Sequence, residues 1–528
     1  MKSRTLMWIS PILLAVLALP IRMAAQSDPL KIARHPHYKL IDMGTFGGPS
    51  SYFNTFSIGP QFGGPQVLNA RAALTGWADT STPDPYAPFC FNPDCFVSHA
   101  FRWQNGSKTD LGVLPGGASS EAFWISPNGL IAGNSQNGAM DPLVPGLPEV
   151  RGVLWQQGKM IELETLGGNE SYAYAVNSRG EVVGIALNAT PDPFSVYDLF
   201  FFNSSSGTQT RGVLWHDGIP EDLGDLGGPD TFAAFVNESG QVAGFSFINS
   251  TPNQTTSLPT FHPFLWDRKK GMQDLGTLGG TLAQAVNGLN ERGQVVGSTT
   301  LAGDVWHDPF LWDGEKMIDI APINCGNTRD GGEADWINDA GEIVGIAAYP
   351  ASCGTPSFGR AFLWREGVLT YLGTTAGMAN SEGVVINNKT QIVGYSFPPD
   401  LSSLSLFLWE EGSIVDLNTL IPSDSGFYLL LPADINDRGE IAAFGSLPNG
   451  DVHAVLLIPC DENHPNIEGC DYSLVDETAT ATDSAKPATQ TGNTAKSALS
   501  PDAIRQLMQA AGRRSKPWYR GLGAQPQK

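Results

Sequence analysis

The chain has 528 residues, of which 41% are apolar and only 16% charged, with 60 glycines and 38 prolines. This composition favours a large all-β protein with many turns over a helical one. The net charge of −22 argues against nucleic acid as a partner, because an acidic surface repels phosphate backbones. The acidity is most simply interpreted as serving solubility, and attraction for cations or basic ligands is the alternative.

The chain begins with the features of a signal peptide. Lys2 and Arg4 precede an apolar run over 6–19, and small residues such as Ala24 offer cleavage sites. We assign residues 1–25 to the signal peptide and expect an extracellular or periplasmic protein. The apolar run is too short for a membrane span, and no other long one exists, so we expect no membrane span.

Three short patterns recur eight times each, in fixed order. The first resembles DLGxLGG and lies at 41–48, 109–117, 161–168, 221–228 and 273–280, with weaker copies at 318–323, 371–377 and 415–421. The second resembles AxxxNxxGxVVG and lies at 68–76, 125–133, 176–184, 236–244, 289–297, 337–345, 386–394 and 435–443. The third is an aromatic segment such as RGVLW, at 99–103, 151–155, 211–215, 262–266, 308–312, 360–364, 405–409 and 453–457. The spacing, roughly 45–60 residues, is typical of four-stranded propeller blades.

Each pattern predicts a strand or a turn. The aromatic segment is apolar at successive positions, so both of its faces must be buried, as they are between two neighbouring sheets. In the second pattern Asn suits the first position of a turn, and the Gly three residues later suits the left-handed residue that closes a hairpin. Thr390 replaces that Gly in the seventh copy and should weaken the turn. Each unit therefore supplies four strands from two hairpins.

The order of the patterns predicts how a ring closes. The chain starts with a DLG strand (38–44) that has no aromatic strand before it, and ends with the aromatic-type strand 453–457. Pairing the two completes one blade and removes exposed sheet edges. We predict an all-β propeller of about eight four-stranded blades over 38–472, with seven as the alternative count. A flexible linker (473–499) and a short basic helix or tail (500–528) complete the chain.

The ordered copies of DLGTLGG, of turns such as VNSRGEVVG and of strands such as HPFLW resemble the HAF-repeat family of predicted extracellular proteins. The tail LLIPCDENHPNIEGCDY (456–472) also resembles tails in that family. The resemblance covers about 38–472, and the LGG element is weaker in the last three units. It implies secretion and repetition, and it brings no reaction, substrate or catalytic residue.

The six cysteines are even in number, as in an exported protein with disulfides. Proximity in the chain favours three pairs, although fifteen connectivities exist. Metal ligation is the rival interpretation, but no CxxC pair supports it. The favoured pairs are Cys90–Cys95, Cys325–Cys353 and Cys460–Cys470.

Long insertions separate the second pattern from the aromatic strand at 79–98, 134–150, 188–210 and 246–261. Because they occupy the same slot in each unit, they should emerge on one face of the ring. Loops of this kind often bind ligands, and variable surface connections are the alternative.

Few residues suggest chemistry. Position one of the aromatic strand alternates between His (99, 262, 453) and Arg (151, 211, 360), with His307 one residue out of register. This alternation predicts a shared structural role, such as bonding a backbone carbonyl. Asp330, Glu333 and Asp335 crowd one loop and are a weak calcium candidate, although their spacing does not match an EF-hand. No catalytic or cofactor motif is present, and calcium is the only cofactor considered.

We therefore expect a secreted binding or scaffold module, a monomer, that recognises an extracellular glycan or protein through its inserted loops. A secreted carbohydrate hydrolase or lyase is the alternative, since two-carboxylate glycosidases need only a pair of acids. Acids and aromatics clustered in a pocket on the inserted face would favour the enzyme, and scattered aromatics would favour binding. A purely structural envelope protein is a third hypothesis.

Overall fold

The computed structural model describes residues 32–54, 66–87, 90–92, 94–142, 146–195, 207–253, 259–304, 306–322, 331–349 and 359–479. The signal peptide and the basic end at 500–528 lie outside these residues. Eight four-stranded antiparallel units make up nearly all of the described chain; six are separate sheets, and the other two are joined into one sheet by a single parallel pair, Phe261 with Leu282. We call each unit a blade and its strands A to D in order of position in the sheet.

The first four blades follow one another along the chain. Blade 1 contains β3 (Gly47–Tyr52), β4 (Leu74–Pro83), β5 (Phe96–Gln104) and β6 (Ser107–Asp110); blade 2 contains β7 (Ser120–Ile125), β8 (Ile131–Met140), β9 (Pro148–Gln156) and β10 (Lys159–Glu162); blade 3 contains β11 (Gly167–Val176), β12 (Val182–Asp192), β13 (Gly207–His216) and β14 (Ile219–Asp222); blade 4 contains β15 (Thr231–Val236), β16 (Val242–Pro252), β17 (Pro259–Asp267) and β18 (Gly271–Asp274).

The last four blades have shorter B strands. Blade 5 contains β19 (Gly279–Leu289), β20 (Val295–Leu301), β21 (His307–Trp312) and β22 (Met317–Asp319); blade 6 contains β23 (Gly332–Ile337), β24 (Ile343–Ala347), β25 (Arg360–Arg365) and β26 (Val368–Gly373); blade 7 contains β27 (Asn380–Ile386), β28 (Ile392–Phe397), β29 (Ser405–Glu410) and β30 (Ser413–Asp416), followed by a 3-10 turn (Leu417–Thr419); blade 8 contains β31 (Tyr428–Ile435), β32 (Ile441–Ser446), β33 (Val452–Pro459) and, from the start of the chain, β2 (Tyr38–Asp42).

The two ends of the repeat region share blade 8. β2 pairs antiparallel with β33, with Leu40 opposite Leu457. Each sheet packs on the next, and β33 of blade 8 also packs on β3 of blade 1, where the amide of Ala454 donates to Ser51 Oγ at 3.0 Å. No single sheet closes on itself; the cycle is completed by packing between sheets. The predicted eight-bladed propeller, with its terminal strands paired, is confirmed.

The aromatic strands are buried between sheets, as predicted. In blade 3 the consecutive residues Val213, Leu214 and Trp215 are each fully buried. The indole of Trp215 donates to the carbonyl oxygen of Glu164 in the preceding blade at 2.8 Å. The corresponding tryptophans of blades 1, 2, 4 and 5 are buried, and those of blades 6 and 7 are half-buried.

The asparagine turns form a continuous belt of hydrogen bonds. In seven blades the Asn side-chain nitrogen donates to the main-chain carbonyl of the next turn at 2.9–3.2 Å, including the step from Asn436 in blade 8 to Asn69 in blade 1. Blade 2 has Ser126 at this position, and Asn128 makes the link instead, at 2.7 Å to Ser178. The belt connects every blade to the next without a break.

A bulge in the A strand shapes the axis. The A strand is innermost, because A strands of adjacent blades contact one another directly. In most blades a register shift lies three residues before the turn Asn. The bulge pushes an A-strand carbonyl toward the Gly of the VVG segment, so a Cβ at Gly244 would lie 1.9 Å from the carbonyl oxygen of Phe232. Only Gly fits there.

Aromatic side chains fill the axis near the asparagine turns. Trp124 of blade 2 lies 6.2 Å from Phe235 of blade 4, which lies 6.2 Å from Trp336 of blade 6. These rings meet across non-adjacent blades because blades 3 and 5 carry Ala175 and Gly288 at the same position. Alternation of large and small residues lets eight blades converge without overpacking.

A ribbon at the ends of the repeat region differs from the predicted domain limits. Residues 475–479, assigned to the flexible linker 473–499, form β34 (Val475–Ala479), which pairs with β1 (Ile32–Pro36). The linker assignment was wrong for this segment, since ladder hydrogen bonds need no apolar composition to form.

The predicted disulfides Cys90–Cys95 and Cys460–Cys470 are present, and Cys325–Cys353 lies outside the described residues.

Replacing Asn290 by Ala should lower the free energy of unfolding by about 1–3 kcal/mol. The buried Asn290 accepts from the amides of Arg292 and Gln294 and donates to Asn338. Urea unfolding measures the change. The control is the exposed Asn449→Ala, expected within about 0.5 kcal/mol of wild type. Equal effects of both substitutions would contradict the belt's role.

Candidate functional site

The propeller has two unlike faces. The turn face carries the asparagine turns and the C–D turns, and the insertion face carries the B–C and D–A connections, because successive antiparallel connections alternate between the ends of a sheet. The terminal ribbon of β1 and β34 lies on the turn face, since β2 starts there at Tyr38, opposite Pro459. The inserted segments therefore emerge together on the opposite face, as predicted.

The insertions raise one half of the insertion face. Most of their described residues lie in extensions of the B and C strands: the B strands have 10, 10, 11 and 11 residues in blades 1–4 but 7, 5, 6 and 6 in blades 5–8. The last three residues of the long B strands in blades 1 and 4 are exposed, and these ends still pair with the C strand. A tall half over blades 1–4 thus adjoins a low half over blades 5–8.

The His and Arg side chains of the aromatic strand pair with carboxylates. His99, His262 and His453 each bring Nδ1 within 2.9 Å of the Asp of the neighbouring DLG strand. Arg151 and Arg211 make the same cross-strand contact at 3.1 and 3.0 Å. The structural role is as expected: the register places the DLG acid beside this slot, and Arg211 also donates to the main-chain carbonyl of Pro229 at 2.9 Å, as predicted.

Cations on the insertion side are held by the protein itself. Within the described residues the Lys and Arg side chains on this side have these partners: Lys108 with the carbonyl of Thr45, Arg151 with Glu149 and Glu162, Arg211 with Asp222 and Asp225, and Arg360 with the ring of Tyr349. This face is therefore rich in hydrogen-bond acceptors and poor in available positive charge.

Three acids from the low half meet near the axis. We call Glu333 and Asp335 of blade 6 and Glu382 of blade 7 the axial carboxyl cluster. Glu333 accepts from Asn287 Nδ2 at 2.8 Å, and Glu382 accepts from the Tyr395 hydroxyl at 2.7 Å. Asp335 is the bulged residue of its strand. The bulge breaks the alternation by which successive side chains of a strand point to opposite faces of the sheet. Asp335 is 4% exposed, whereas the two glutamates are half-buried.

Burial raises the pKa of all three acids, and repulsion between carboxylates adds to this for Asp335 and Glu382. Burial, with the charge of Glu333, raises the pKa of Glu382 from 4.5 to about 7, against the lowering effect of the Tyr395 hydroxyl. Burial and the charges of Glu382 and Glu333 hold the pKa of Asp335 well above its usual range. The causes of these shifts include no neighbouring cation. The cluster can therefore bind a proton near neutral pH.

Two acceptor atoms of this site lack a partner among the described residues. They are Asp335 Oδ2 and Asn287 Oδ1, both buried. The orientation of the Asn287 amide is fixed, because its nitrogen faces two acceptors, Glu333 Oε1 and the carbonyl oxygen of Ala334 at 3.0 Å. Unpaired buried acceptors cost free energy and are rare in structural cores.

An aromatic arc lies under the tall half. Successive ring centroids are 4.8–5.9 Å apart along Tyr52, Trp77, Phe123, Tyr172, Tyr174, Phe232, Phe245 and Phe261, from blade 1 to blade 4. Glu121 joins this half by accepting from the Tyr172 hydroxyl. Aromatic packing thus supports one half of the axis, and carboxyl groups line the other.

The predicted calcium site has a different setting. Glu333 and Asp335 lie in β23, not in a loop, because the strand begins at Gly332; Asp330 lies outside the described residues. Within the described part of the chain, no group of three His, Cys, Asp or Glu side chains could hold a metal ion. Calcium binding that includes Asp330 stays a prediction.

A cavity of about 620 Å³ lies on the turn face beside the terminal ribbon. Its lining mixes Arg34, Lys389 and Arg438 with Glu410 and Asp461. Positive and negative side chains therefore both line the cavity, and this lining does not favour one class of ligand over another.

Sequence reasoning missed Glu382, Tyr395 and Asn287. A signal existed: counting back five residues from the turn residue finds Glu121, Glu333 and Glu382 in copies two, six and seven. Their convergence depends on the ring, which brings equivalent positions of separate copies to one axis.

Solved structures with a similar shape include a β-propeller domain. No protein-family model and no curated protein matches the chain. The β-propeller domain of the Trilobed protease from Pyrococcus furiosus is similar at 8% identity and TM-score 0.36, covering 82% of this chain and 96% of that one. A puromycin-hydrolyzing peptidase of Mycobacterium tuberculosis (10%, TM-score 0.38, 80% and 56%) and a Trypanosoma rangeli sialidase (10%, TM-score 0.30, 80% and 59%) are also similar. The matched region spans little more than half of these last two.

In the part of the chain that the structure describes, no helix is long and apolar enough to cross a membrane. The class of protein that these observations define is a β-propeller with eight blades, two disulfides in the described residues and a polar axial site.

Replacing Glu382 by Gln should flatten the pH dependence of stability. Because its folded pKa is raised to about 7, Glu382 contributes stability that is present below its unfolded pKa and lost as pH rises through 7. Glu333 and Asp335, whose pKa values are also raised, and the Tyr395 hydroxyl face it. Urea unfolding between about pH 5 and 8 measures this; an unchanged slope in E382Q would contradict the raised pKa.

Proposed function

We propose that the protein is a secreted glycan-binding module whose ligand lies on the insertion face, over the axial carboxyl cluster. The observation that carries this proposal is the acceptor-rich, cation-poor chemistry of that face, where each Lys or Arg of the described residues is engaged within the protein. Hydroxyl groups of a sugar chain supply the donors that such acceptors need. Polyanions are disfavoured by the same surface.

Several features support a binding role for this face. The tall half over blades 1–4 forms one wall beside the cluster, so a chain-like ligand has a step to lie against. Bulges such as that at Asp335, which re-aim side chains, are typical of strands next to binding sites. The half-buried Glu333 and Glu382 supply the reachable edge of the cluster.

Secretion is part of this proposal. The signal-peptide pattern and the disulfides Cys90–Cys95 and Cys460–Cys470 support it. The resemblance to the HAF-repeat family stays a prediction, and it carries the same expectation.

Screening the mature protein on a glycan array should identify neutral or amine-bearing glycans. E382Q should weaken their binding by roughly 10-fold, because it removes a charged acceptor from the ligand. E291Q is the control: Glu291 is also an acid with a raised pKa, but it is exposed and lies on the turn face. Equal loss in both variants, or ligands only among extracellular proteins, would contradict the proposal.

A carbohydrate hydrolase is the second candidate, favoured by one observation. A carboxyl with a pKa of about 7 beside a second acid is the arrangement that a general acid needs. Release of reducing ends from a polysaccharide panel, lost by at least about 100-fold in E382Q, would replace binding by catalysis as the function. Binding without release would leave the first proposal in place.

A further inference from the structure

The unusual feature of the axial carboxyl cluster is that it lacks a balancing charge. Burial raises the pKa of Glu333, Asp335 and Glu382, the charge of Glu333 adds to this for the other two, and no Lys, Arg or His is among the causes. Grouping buried acids without a cation destabilises the folded state, since each must lose its water or keep a proton. A purely structural site would gain stability from amides in place of these acids.

The unpartnered atoms of the site are all of one kind. Asp335 Oδ2, which is an acceptor when Asp335 is ionised, and Asn287 Oδ1 have no partner among the described residues. Asn287 is fully buried and Asp335 nearly so. Because the Asn287 nitrogen already donates to Glu333 and to a main-chain carbonyl, exchanging the amide oxygen and nitrogen by rotation would not give the oxygen a donor. What the site lacks is a donor that also carries positive charge.

A group with several donors and one positive charge meets both needs. An ammonium presents three N–H donors and no acceptor. A metal ion is disfavoured, since no three of the described ligand-type side chains have suitable geometry. A guanidinium is planar and needs carboxylates aligned with its fork, whereas an ammonium accepts any tetrahedral arrangement of oxygens.

We infer that the axial carboxyl cluster binds a protonated primary amine of the ligand, so that the glycan recognised by the insertion face is an amine-bearing one. This inference rests on the proposed glycan-binding function and narrows its ligand class. The amine lies against Glu333 and Glu382, which are half-buried and reachable, and completes the hydrogen bonding of Asp335 and Asn287. The sugar hydroxyls remain outside, toward the insertion face.

The direct test compares two sugar chains that differ only in this group. Isothermal titration of the full mature protein uses a glucosamine hexamer and its fully N-acetylated counterpart, at a pH where the amine is protonated. The amine hexamer should bind about 10- to 100-fold more tightly, the range of a charge-assisted hydrogen bond. Equal affinities would overturn the inference, and tighter binding of a lysine hexapeptide would overturn the choice of a glycan.

Variants separate this role from a structural one. D335N and E382Q should each lose the preference for the amine, whereas E291Q on the turn face should keep it. Both cluster variants should also melt at a higher temperature than wild type, since each removes repulsion between buried acids. A lower melting temperature with the amine preference intact would overturn the inference. If D335N fails to fold, E382Q alone decides.

Proton release supplies an independent readout. A bound ammonium favours the charged carboxylates and displaces the protons that their raised pKa retains. Titrations in buffers of different ionisation enthalpy should therefore show net release with the amine hexamer and none with the N-acetylated one. No release from wild type would count against the inference. Array binding to neutral glycans only would reject this inference and leave the proposed glycan-binding function standing.

Discussion

Every blade of this protein buries apolar side chains on both faces, so each blade needs a neighbour on both sides. A linear stack would leave two faces in water, whereas a ring leaves none. Ring closure is therefore the constraint on which the rest depends. It explains why β2 leaves the start of the chain to complete blade 8, and why the asparagine belt continues from Asn436 to Asn69 as it does between other blades.

Closure also creates the site. Eight innermost strands can converge only if side chains at the axis alternate in size, and the bulges with their facing glycines allow that approach. Large rings from blades 2, 4 and 6 fill the axis near the turn face. Above them, positions five residues before the turns bring Glu333 and Glu382 together, although 49 residues separate their turn asparagines.

The repeat made the fold readable from the sequence. Eight ordered copies predicted the blade count, and the unmatched strands at each end predicted their pairing. The shared structural role of His99 and its equivalents was predicted, but their carboxylate partners were not, because the sequence shows a recurring slot and not the register that places Asp110 beside it. The ribbon of β1 and β34 and the axial carboxyl cluster were not predicted. Both depend on contacts between distant segments that local patterns do not encode.

The measurement that tests ring closure most directly is hydrogen exchange of the β2 amides. Mass spectrometry of the peptide containing Tyr38–Asp42 compares its exchange with that of β30, the equivalent outer strand of blade 7. A closed ring predicts protection of β2 comparable to that of β30, because both donate to a neighbouring C strand. Exchange of β2 as fast as that of an unpaired chain end would contradict the account.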